Sequence, residues 1–558
     1  MKRLQHRAWP KDLPHDLPKT TTTLYQAFAD TAAAHPNKDC LNFYGKTLSY
    51  ADAHSQICNI AAYLHSECGV KPGDRVSICA QNCPQYMLVF YGILRAGAVV
   101  VPINPMNKTK EIKYVVDDAQ VEVIFVAQDR SDQIAPLLED GTLCHANMLI
   151  YADFLGDMIT LDVPEIIRQT AQPLPEKFTS WAAAAQCKAP APTYLRLPDD
   201  LAVLPYTSGS TGRGKGCMHT NASALHAARA VYDWFGFSGA DVFLSVSPMF
   251  HVVGLQCGLI VPVVIGATSV ILPRWDKVTA TKLMRDYKVS VWPTVPTMVM
   301  DFITQEDLKR ADVASLHTVF GGGIAMPDAV AARLLELTNL TFLEGYGLTE
   351  TIAPTTANPR EKPKRQCGGL PVFNTDVIIV DPDTLAPVPH DEVGEILISG
   401  PQVMRGYWNN DAANDEAFVV IDGARFLRTG DLGRVDEDGY VFIVDRLKRM
   451  INASGYKVWP TDVEATLYDH PDIVEACVIA SPDPYRGETV KALIVLRDGA
   501  ECTPEDITKW AHKNMAAYKV PRIVSFVNAL MKSGSGKVLW RELQAIENAE
   551  VNAEKSKS

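Results

Sequence analysis

One stretch constrains this chain more than any other: Tyr206-Thr207-Ser208-Gly209-Ser210-Thr211-Gly212-Arg213-Gly214-Lys215-Gly216. Its glycines free the backbone to wrap an anion, its hydroxyls donate to oxygens, and its lysine adds charge, so polyphosphate binding is the natural use. The apolar run Leu201 to Pro205 before it reads as a strand and the run from Ala222 as a helix, which places the loop in a layered α/β sheet. Gly209 to Lys215 also satisfies the spacing of a P-loop. A P-loop, however, holds Mg²⁺ with Ser or Thr after its lysine, and Gly216 offers no side-chain oxygen. Taken alone, a flexible surface turn is the bland alternative.

At 558 residues the chain outgrows a single hydrophobic core, so two or more domains are expected. A hydrophobic content of 47% with 21% charged residues excludes a disordered chain, and the net charge of −12 disfavours nucleic acid or an anionic membrane as main partner. The twelve cysteines include no Cys-x-x-Cys pair, and the nearest two, Cys79 and Cys83, lack a second ligand pair, so they read as reduced, mostly buried thiols. The opening MKRLQHRAWPKDLPHDLPK has no apolar stretch and reads as no secretory signal. The most lipophilic window, Leu255 to Leu272, is interrupted by Gln256, Pro262, Gly266, Thr268 and Ser269, which predicts a buried helix and a buried strand, not a membrane span. A cytoplasmic protein is the expectation.

From Thr47 to about Gln128 helical and strand patterns alternate: Arg75 to Ala80 and Val123 to Val126 read as strands, Pro84 to Ala96 as a helix. From Gly369 the texture changes to short strands with turn signals, including Asp376 to Val380, Glu395 to Ser399 and a pair hinged at Asp438-Gly439. Beyond Asp445 the pattern is α+β, with Pro460 opening a helix and Thr503-Pro504-Glu505-Asp506 forming a capping box. The predicted organisation is a large N-terminal domain over 1–445, made of layered α/β sheets with a small β-barrel subdomain at about 369–445. A smaller mobile α+β domain over 446–558 follows.

Three further segments carry chemistry. Glu344-Gly345-Tyr346-Gly347-Leu348-Thr349-Glu350 puts an aromatic face, a hydroxyl and a carboxylate together, suited to a nucleobase, a phosphate oxygen and Mg²⁺. Arg428-Thr429-Gly430-Asp431-Leu432-Gly433 presents a carboxylate able to accept from both ribose hydroxyls. Ser533-Gly534-Ser535-Gly536-Lys537 hangs a lysine on a loop with almost no bulk. Singly, each reads as well as a packed or mobile turn.

In this order, with Pro248-Met249-Phe250-His251 and Gly394 to Trp408 (GEILISGPQVMRGYW) between them, the segments resemble the adenylate-forming (ANL) superfamily of acyl-CoA synthetases and AMP-dependent acid-CoA ligases. The pattern is most like fatty-acid-CoA ligases, and the resemblance runs from about Leu24 to Leu543. It implies ATP, Mg²⁺ and coenzyme A as reactants and a carboxylic acid as substrate. The loop holding Thr207, Ser208, Gly209, Ser210, Thr211, Gly212 and Lys215 would cover the β- and γ-phosphates, Thr349 would contact the α-phosphate, and Glu350 would hold Mg²⁺. Gly321, Gly322 and Gly323 with Tyr346 would form the adenine slot, Gly347 would also bind the nucleotide, Asp431 would hold the ribose and Arg446 would make a second nucleotide contact. Lys537 would bridge the acid carboxylate and the α-phosphate; Lys448 would be the hinge that brings the loop at Gly455 over the site for thiol attack. Three positions depart from the family's habit: Gly214 and Met531, where proline is frequent, and Arg449, where an acidic residue is.

His251 stands where amino-acid-activating relatives carry aspartate, so α-amino acids are disfavoured and a gating role at the acyl pocket is assigned to it by resemblance. Val295, Met298 and Val299 are apolar pocket candidates, which fit a medium- or long-chain fatty acid, or an aryl or alicyclic acid. Free coenzyme A is the expected acceptor, with a separate carrier protein left open, and a homodimer is carried as an expectation. A P-loop-like ATPase or kinase stays as the alternative of a different class.

Overall fold

Near-continuous apolar runs such as Val76 to Cys79 and Val99 to Val101 form strands buried on both faces, the condition for parallel sheets covered by helices. The computed structural model describes residues 7–156, 161–207, 214–446, 449–453, 456–483, 487–532 and 538–555. By contacts the chain divides into two units, one of residues 1–376, 398–427 and 438–440, the other of 377–397, 428–437 and 441–558.

The first unit holds a seven-stranded and a nine-stranded sheet. Helices α1 (Leu24–Ala34), α2 (Tyr50–Ser66) and α3 (Pro84–Arg95) start at sites legible in the sequence: Thr23 and Ser49 cap the first two with their hydroxyls, and Pro84 stands in the first turn of the third. α2 and α3 approach so closely that a Cβ on Gly92 would lie 2.5 Å from the Ile60 side chain. In the nine-stranded sheet β1 (Val242–Ser245), β2 (Val291–Thr294), β3 (Thr318–Gly321) and β4 (Phe342–Tyr346) are parallel neighbours in that order. Their carboxyl ends therefore open on one rim, where ligands bind in open α/β sheets.

The apolar window at Leu255 contains a helix and then a strand, Thr268–Ile271, but the helix begins as a π-helix over Gly254–Ile260. Close approach is one cause, since a Cβ on Gly254 would sit 2.1 Å from the Pro248 carbonyl. Polar satisfaction is another: the Gly258 carbonyl accepts from Ser245 Oγ at 2.7 Å and Ser269 Oγ at 3.3 Å. No helix among the described residues is long and apolar enough to cross a membrane. The cysteines are free thiols, seven of them buried.

Residues 431–435 of β5 (Ala424–Val435) run antiparallel to β6 (Val441–Arg446), and the chain between these strands carries the expected tight turn with Gly439 at φ +92°. Long antiparallel strands β7 (Ile473–Asp483) and β8 (Gly487–Leu496) centre a further sheet, packed by helix α4 (Pro460–Tyr468) and by helices Pro504–Asn514 and Trp540–Lys555. Ile451, Val458, Val463, Leu467, Val478 and Ile494 are among its buried core. The architecture is α/β with layered sheets and an α+β C-terminal region, as the alternation of patterns predicts.

Candidate active site

The glycine-rich loop leaves the seven-stranded sheet through a narrow neck. Thr207 N–H donates to the Lys215 carbonyl at 3.0 Å, Lys215 N–H donates to Thr207 Oγ1 at 3.1 Å, and Tyr206 pairs with Gly216 as in an antiparallel ladder. Lys215 thus stands on an extended, antiparallel pairing with Thr207, whereas a P-loop lysine sits on a helix, so the P-loop reading does not hold. A Cβ on Gly216 would meet Tyr206 Cζ at 3.1 Å and Leu204 at 3.2 Å, so a Ser or Thr there would crowd both side chains. Gly214 is equally constrained: a Cβ there would lie 2.5 Å from the Thr207 carbonyl, which accounts for glycine where proline is frequent. Ser208, Gly209, Ser210, Thr211 and Gly212 lie outside the described residues.

Two tyrosines anchor the neck from outside. Tyr206 donates to Asp118 Oδ2 at 2.5 Å, and burial together with that carboxylate pushes its phenol well above its ordinary range, so it stays a donor. Tyr114 donates to the Gly214 carbonyl at 2.8 Å.

Past β4 the chain enters a short 3-10 turn, Thr349–Thr351, started by Leu348 N–H donating to Thr351 Oγ1 at 3.0 Å. The next residue, Ile352, is fully buried and held at φ +46°, a conformation β-branched residues avoid, so packing fixes a strained turn directly after Glu350. Thr349 and Glu350 are both half-buried on this turn.

One side chain ties the turn to the neck. Tyr407 donates to Glu350 Oε1 at 2.8 Å, and its ring lies 4.5 Å beneath Lys215 Nζ. Its backbone neighbours hold it there: Cys217 pairs with Tyr407, and Trp408 N–H donates to the Gly216 carbonyl at 2.8 Å. Tyr407 is the last residue but one of the GEILISGPQVMRGYW segment, a motif whose role in the site the sequence leaves unassigned. A second contact missed in the sequence is His219, fully buried, whose Nε2 faces the Thr349 carbonyl at 2.8 Å. Burial lowers its imidazole to about 4, so it is neutral and Nε2–H is the donor.

The adenine-slot glycines lie on the carboxyl rim of β3 and β4. A Cβ on Gly322 would be 2.1 Å from the Gly345 carbonyl and one on Gly321 1.7 Å from the Thr294 carbonyl, so neighbouring loops touch through backbone alone. Gly323, by contrast, faces open space at φ +100°. Gly347 is exposed beside half-buried Tyr346, and a Cβ there would stand 3.1 Å from Ala353. On the same rim Val295 caps the helix Pro296–Phe302, which carries Met298 and buried Val299. His251 is exposed, its N–H bonded to the Pro248 carbonyl at the start of the π-helical segment.

In the second unit Asp431 and Arg446 are direct cross-strand partners, and Asp431 is buried with its N–H on Thr429 Oγ1 at 3.0 Å. Asp445, next in line, accepts from Thr461 N–H and Oγ1, each at 3.0 Å, which pins the end of β6 to the first turn of α4. Arg449 pairs with Glu464 and donates to the Val478 carbonyl, so the basic residue found where an acidic one is frequent has a local partner. Met531 is exposed. Gly455, Lys448 and Lys537 lie outside the described residues.

Glu350 is the side chain on this rim fitted to a divalent cation. One oxygen is fixed by Tyr407, and Oε2 has no hydrogen-bond partner among the described residues. No cluster of three His, Cys, Asp or Glu side chains that could hold a metal occurs among the described residues.

The family pattern described as AMP-binding enzyme matches residues 28–408, and that of the AMP-binding enzyme C-terminal domain matches 462–537. The chain is similar to a long-chain-fatty-acid–CoA ligase of Bacillus subtilis, 35% identical over 96% of each chain. It is also similar to 4-coumarate–CoA ligase 4 of Arabidopsis thaliana, 30% identical over 96% of this chain and 92% of the other. Among solved structures, ATP-bound MatB from Rhodopseudomonas palustris superposes with a TM-score of 0.83 at 26% identity, covering 94% of this chain and 99% of the other.

Proposed function

The chain belongs to the AMP-binding enzyme family as an AMP-forming acid–CoA ligase, and from that premise we propose that its acid is a medium- or long-chain fatty acid. In such an enzyme the acid carboxylate attacks the α-phosphorus of ATP, pyrophosphate leaves, and coenzyme A then displaces AMP from the acyl adenylate. The observation that carries the site assignment is the constellation Lys215, Tyr407 and Glu350, which joins the phosphate-type loop to a carboxylate turn.

Lys215 and Thr207 with the loop residues Ser208 to Gly212 hold the β- and γ-phosphates. Thr349 takes the α-phosphate, and Tyr346 with Gly322, Gly323 and Gly347 receives adenine. Asp431 and Arg446 take the ribose and nucleotide, and Lys537 bridges carboxylate and phosphate as charge builds on the transferring group. Glu350 holds Mg²⁺, which when bound offsets phosphate charge. The division at 445/446 with a hinge at Lys448 belongs to the same proposal, Gly455 serving the thiol half-reaction. A Lys448→Pro variant is expected to keep adenylation better than thioester formation.

The fatty-acid reading is supported by relatives named long-chain-fatty-acid–CoA ligases that match nearly end to end, and by the apolar Val295, Met298 and Val299. A second reading, an aryl or alicyclic acid, draws on the likeness to the coumarate ligase. His251 gates the acid in either case. The deciding experiment offers ATP, Mg²⁺, coenzyme A and a panel of fatty, aryl and alicyclic acids. AMP, pyrophosphate and a fatty acyl thioester are expected. Preferred turnover of aryl acids overturns the substrate assignment, and ADP with phosphate overturns the mechanism.

A further inference from the structure

Helices α1, α2 and α3 bring together a group of side chains that the ligase chemistry does not use. His54 and Cys58 stand one turn apart on α2, and Tyr25 reaches them from α1. His54 Nε2 lies 3.8 Å from Cys58 Sγ and 3.1 Å from Tyr25 Oη, and Tyr25 Oη lies 4.0 Å from the sulfur. The imidazole is held in place by ring contacts with Tyr25 and Phe28. From the end of α3, Arg95 lies 5.3 Å over the Tyr25 ring and 6.0 Å over that of Tyr194, while it donates to the Pro192 carbonyl at 2.6 Å. Cys58 and His54 are half-buried, whereas Tyr25 is buried.

We propose that Cys58 is a nucleophilic thiol primed by His54 for S-thiolation by an anionic low-molecular-weight disulfide. In the step, the Cys58 proton passes to His54 Nε2 and the thiolate attacks one sulfur of the disulfide. A new S–S bond forms as the old one breaks, and the other half leaves as a thiolate that takes up a proton. Cys58 is oxidised to the disulfide level and the departing sulfur is reduced, so no further oxidant enters.

Three features favour this thiol over the others. Burial alone would raise Cys58, but the hydrogen bond and charge of His54, followed by Tyr25 and Arg95, outweigh it and bring the thiol below its ordinary value. Its neighbour moves the opposite way, Tyr25 being raised to about 12 by burial and then by the Cys58 charge. Burial instead pushes up Cys40, Cys68, Cys79, Cys83, Cys257 and Cys477, which disfavours their thiolates. Arg95, the cation of the group, supplies the preference for an anionic reagent.

The test uses the whole protein. Peptide-resolved alkylation with iodoacetamide between about pH 6 and pH 9 should give Cys58 an inflection below that of a free thiol, near 8.5. At neutral pH its rate should exceed that of exposed Cys144 by about tenfold, and His54→Gln should abolish the excess without changing Cys144. Glutathione disulfide should label Cys58 faster than the cationic cystamine, the label should be released by dithiothreitol, and Arg95→Gln should remove the preference. Tyr25→Phe, which keeps the ring packing, should leave Cys58 more reactive than Cys144 even if a His54 variant proves unstable. A Cys58 rate equal to that of Cys144, an inflection at or above the free-thiol value, or indifference to reagent charge overturns the proposal.

Discussion

The two rims of the sheet formed by β1 to β4 carry similar polar groups and use them in opposite ways. At the amino ends Asp241 accepts from His317 Nε2 at 2.8 Å, Ser290 Oγ at 2.8 Å and the Ser238 amide at 2.8 Å. His317 Nδ1 in turn meets Thr318 Oγ1 at 2.8 Å, which accepts from Arg360 at 2.6 Å. At the carboxyl ends Gly321, Gly322 and Gly347 leave bare backbone, and Glu350 commits one oxygen to Tyr407 while the other keeps its capacity. A polar cluster that satisfies itself stabilises a fold, whereas one with leftover capacity and little bulk is free to bind. Substitutions at the first rim should therefore cost stability and at the second, chemistry.

The largest expected effect is at Glu350. Glu350→Gln keeps an acceptor for Tyr407 but removes the charge, and acid-dependent pyrophosphate release should fall by about 10²–10³-fold with little change in thermal midpoint. Near-normal release would break the contrast between the rims. Next comes Gly322→Ala, whose Cβ would stand 2.1 Å from the Gly345 carbonyl and must spread the slot. Overpacking of ~1–3 kcal/mol predicts roughly a tenfold rise in KM for ATP, read from initial rates. Tyr407→Phe loses one hydrogen bond to a charged group, and a loss of about tenfold in kcat with a raised Mg²⁺ requirement is expected from a metal titration.

Asp241→Asn tests the opposite rim. Burial disfavours the Asp241 charge, but the donors from His317, Ser238 and Ser290 prevail and hold it at about 2, below its ordinary 3.8. That depression corresponds to about 2 kcal/mol of stability at neutral pH, fully present above about pH 4 and lost as pH falls through about 2. The asparagine variant should lower the thermal midpoint and leave kcat unchanged. A lowered kcat at an unaltered midpoint would reverse the assignment of the two rims.

How much of this was legible in the sequence depends on how local each feature is. The helix at Pro84, the strand at Arg75, the turn at Gly439 and the capping box at Thr503 rest on neighbours within a few residues, and the structure has them. The glycine loop and Thr349-Glu350 announce chemistry by composition alone. Tyr407 does not, because its partner Glu350 is 57 residues away, and His219 lies 130 residues from the carbonyl it bonds. An aromatic or a histidine in an apolar run looks the same whether it packs or positions. The π-helix at Gly254 is hidden for a similar reason: its widening answers to Ser245 and Ser269, which lie outside the helix.

The smallest effect sharpens the contrast through pH. Glu344 lies near the carboxyl end of β4, opposite Gly321, and its carboxylate accepts from the Met326 amide at 3.0 Å and the Gln366 amide at 2.8 Å. Burial outweighs these donors and raises it to about 7 from an ordinary 4.5. The folded chain therefore binds this proton more tightly than the unfolded chain. The resulting stability is full below about pH 4.5 and is lost as pH rises through about 7, the reverse of Asp241 at the other rim. Thermal midpoints of the unsubstituted protein should thus decline between about pH 5 and pH 8, and Glu344→Gln, which does not titrate, should flatten that decline by about a few degrees at most. An unchanged slope in the variant would mean that Glu344 is ionised throughout and that the amides, not burial, set its charge.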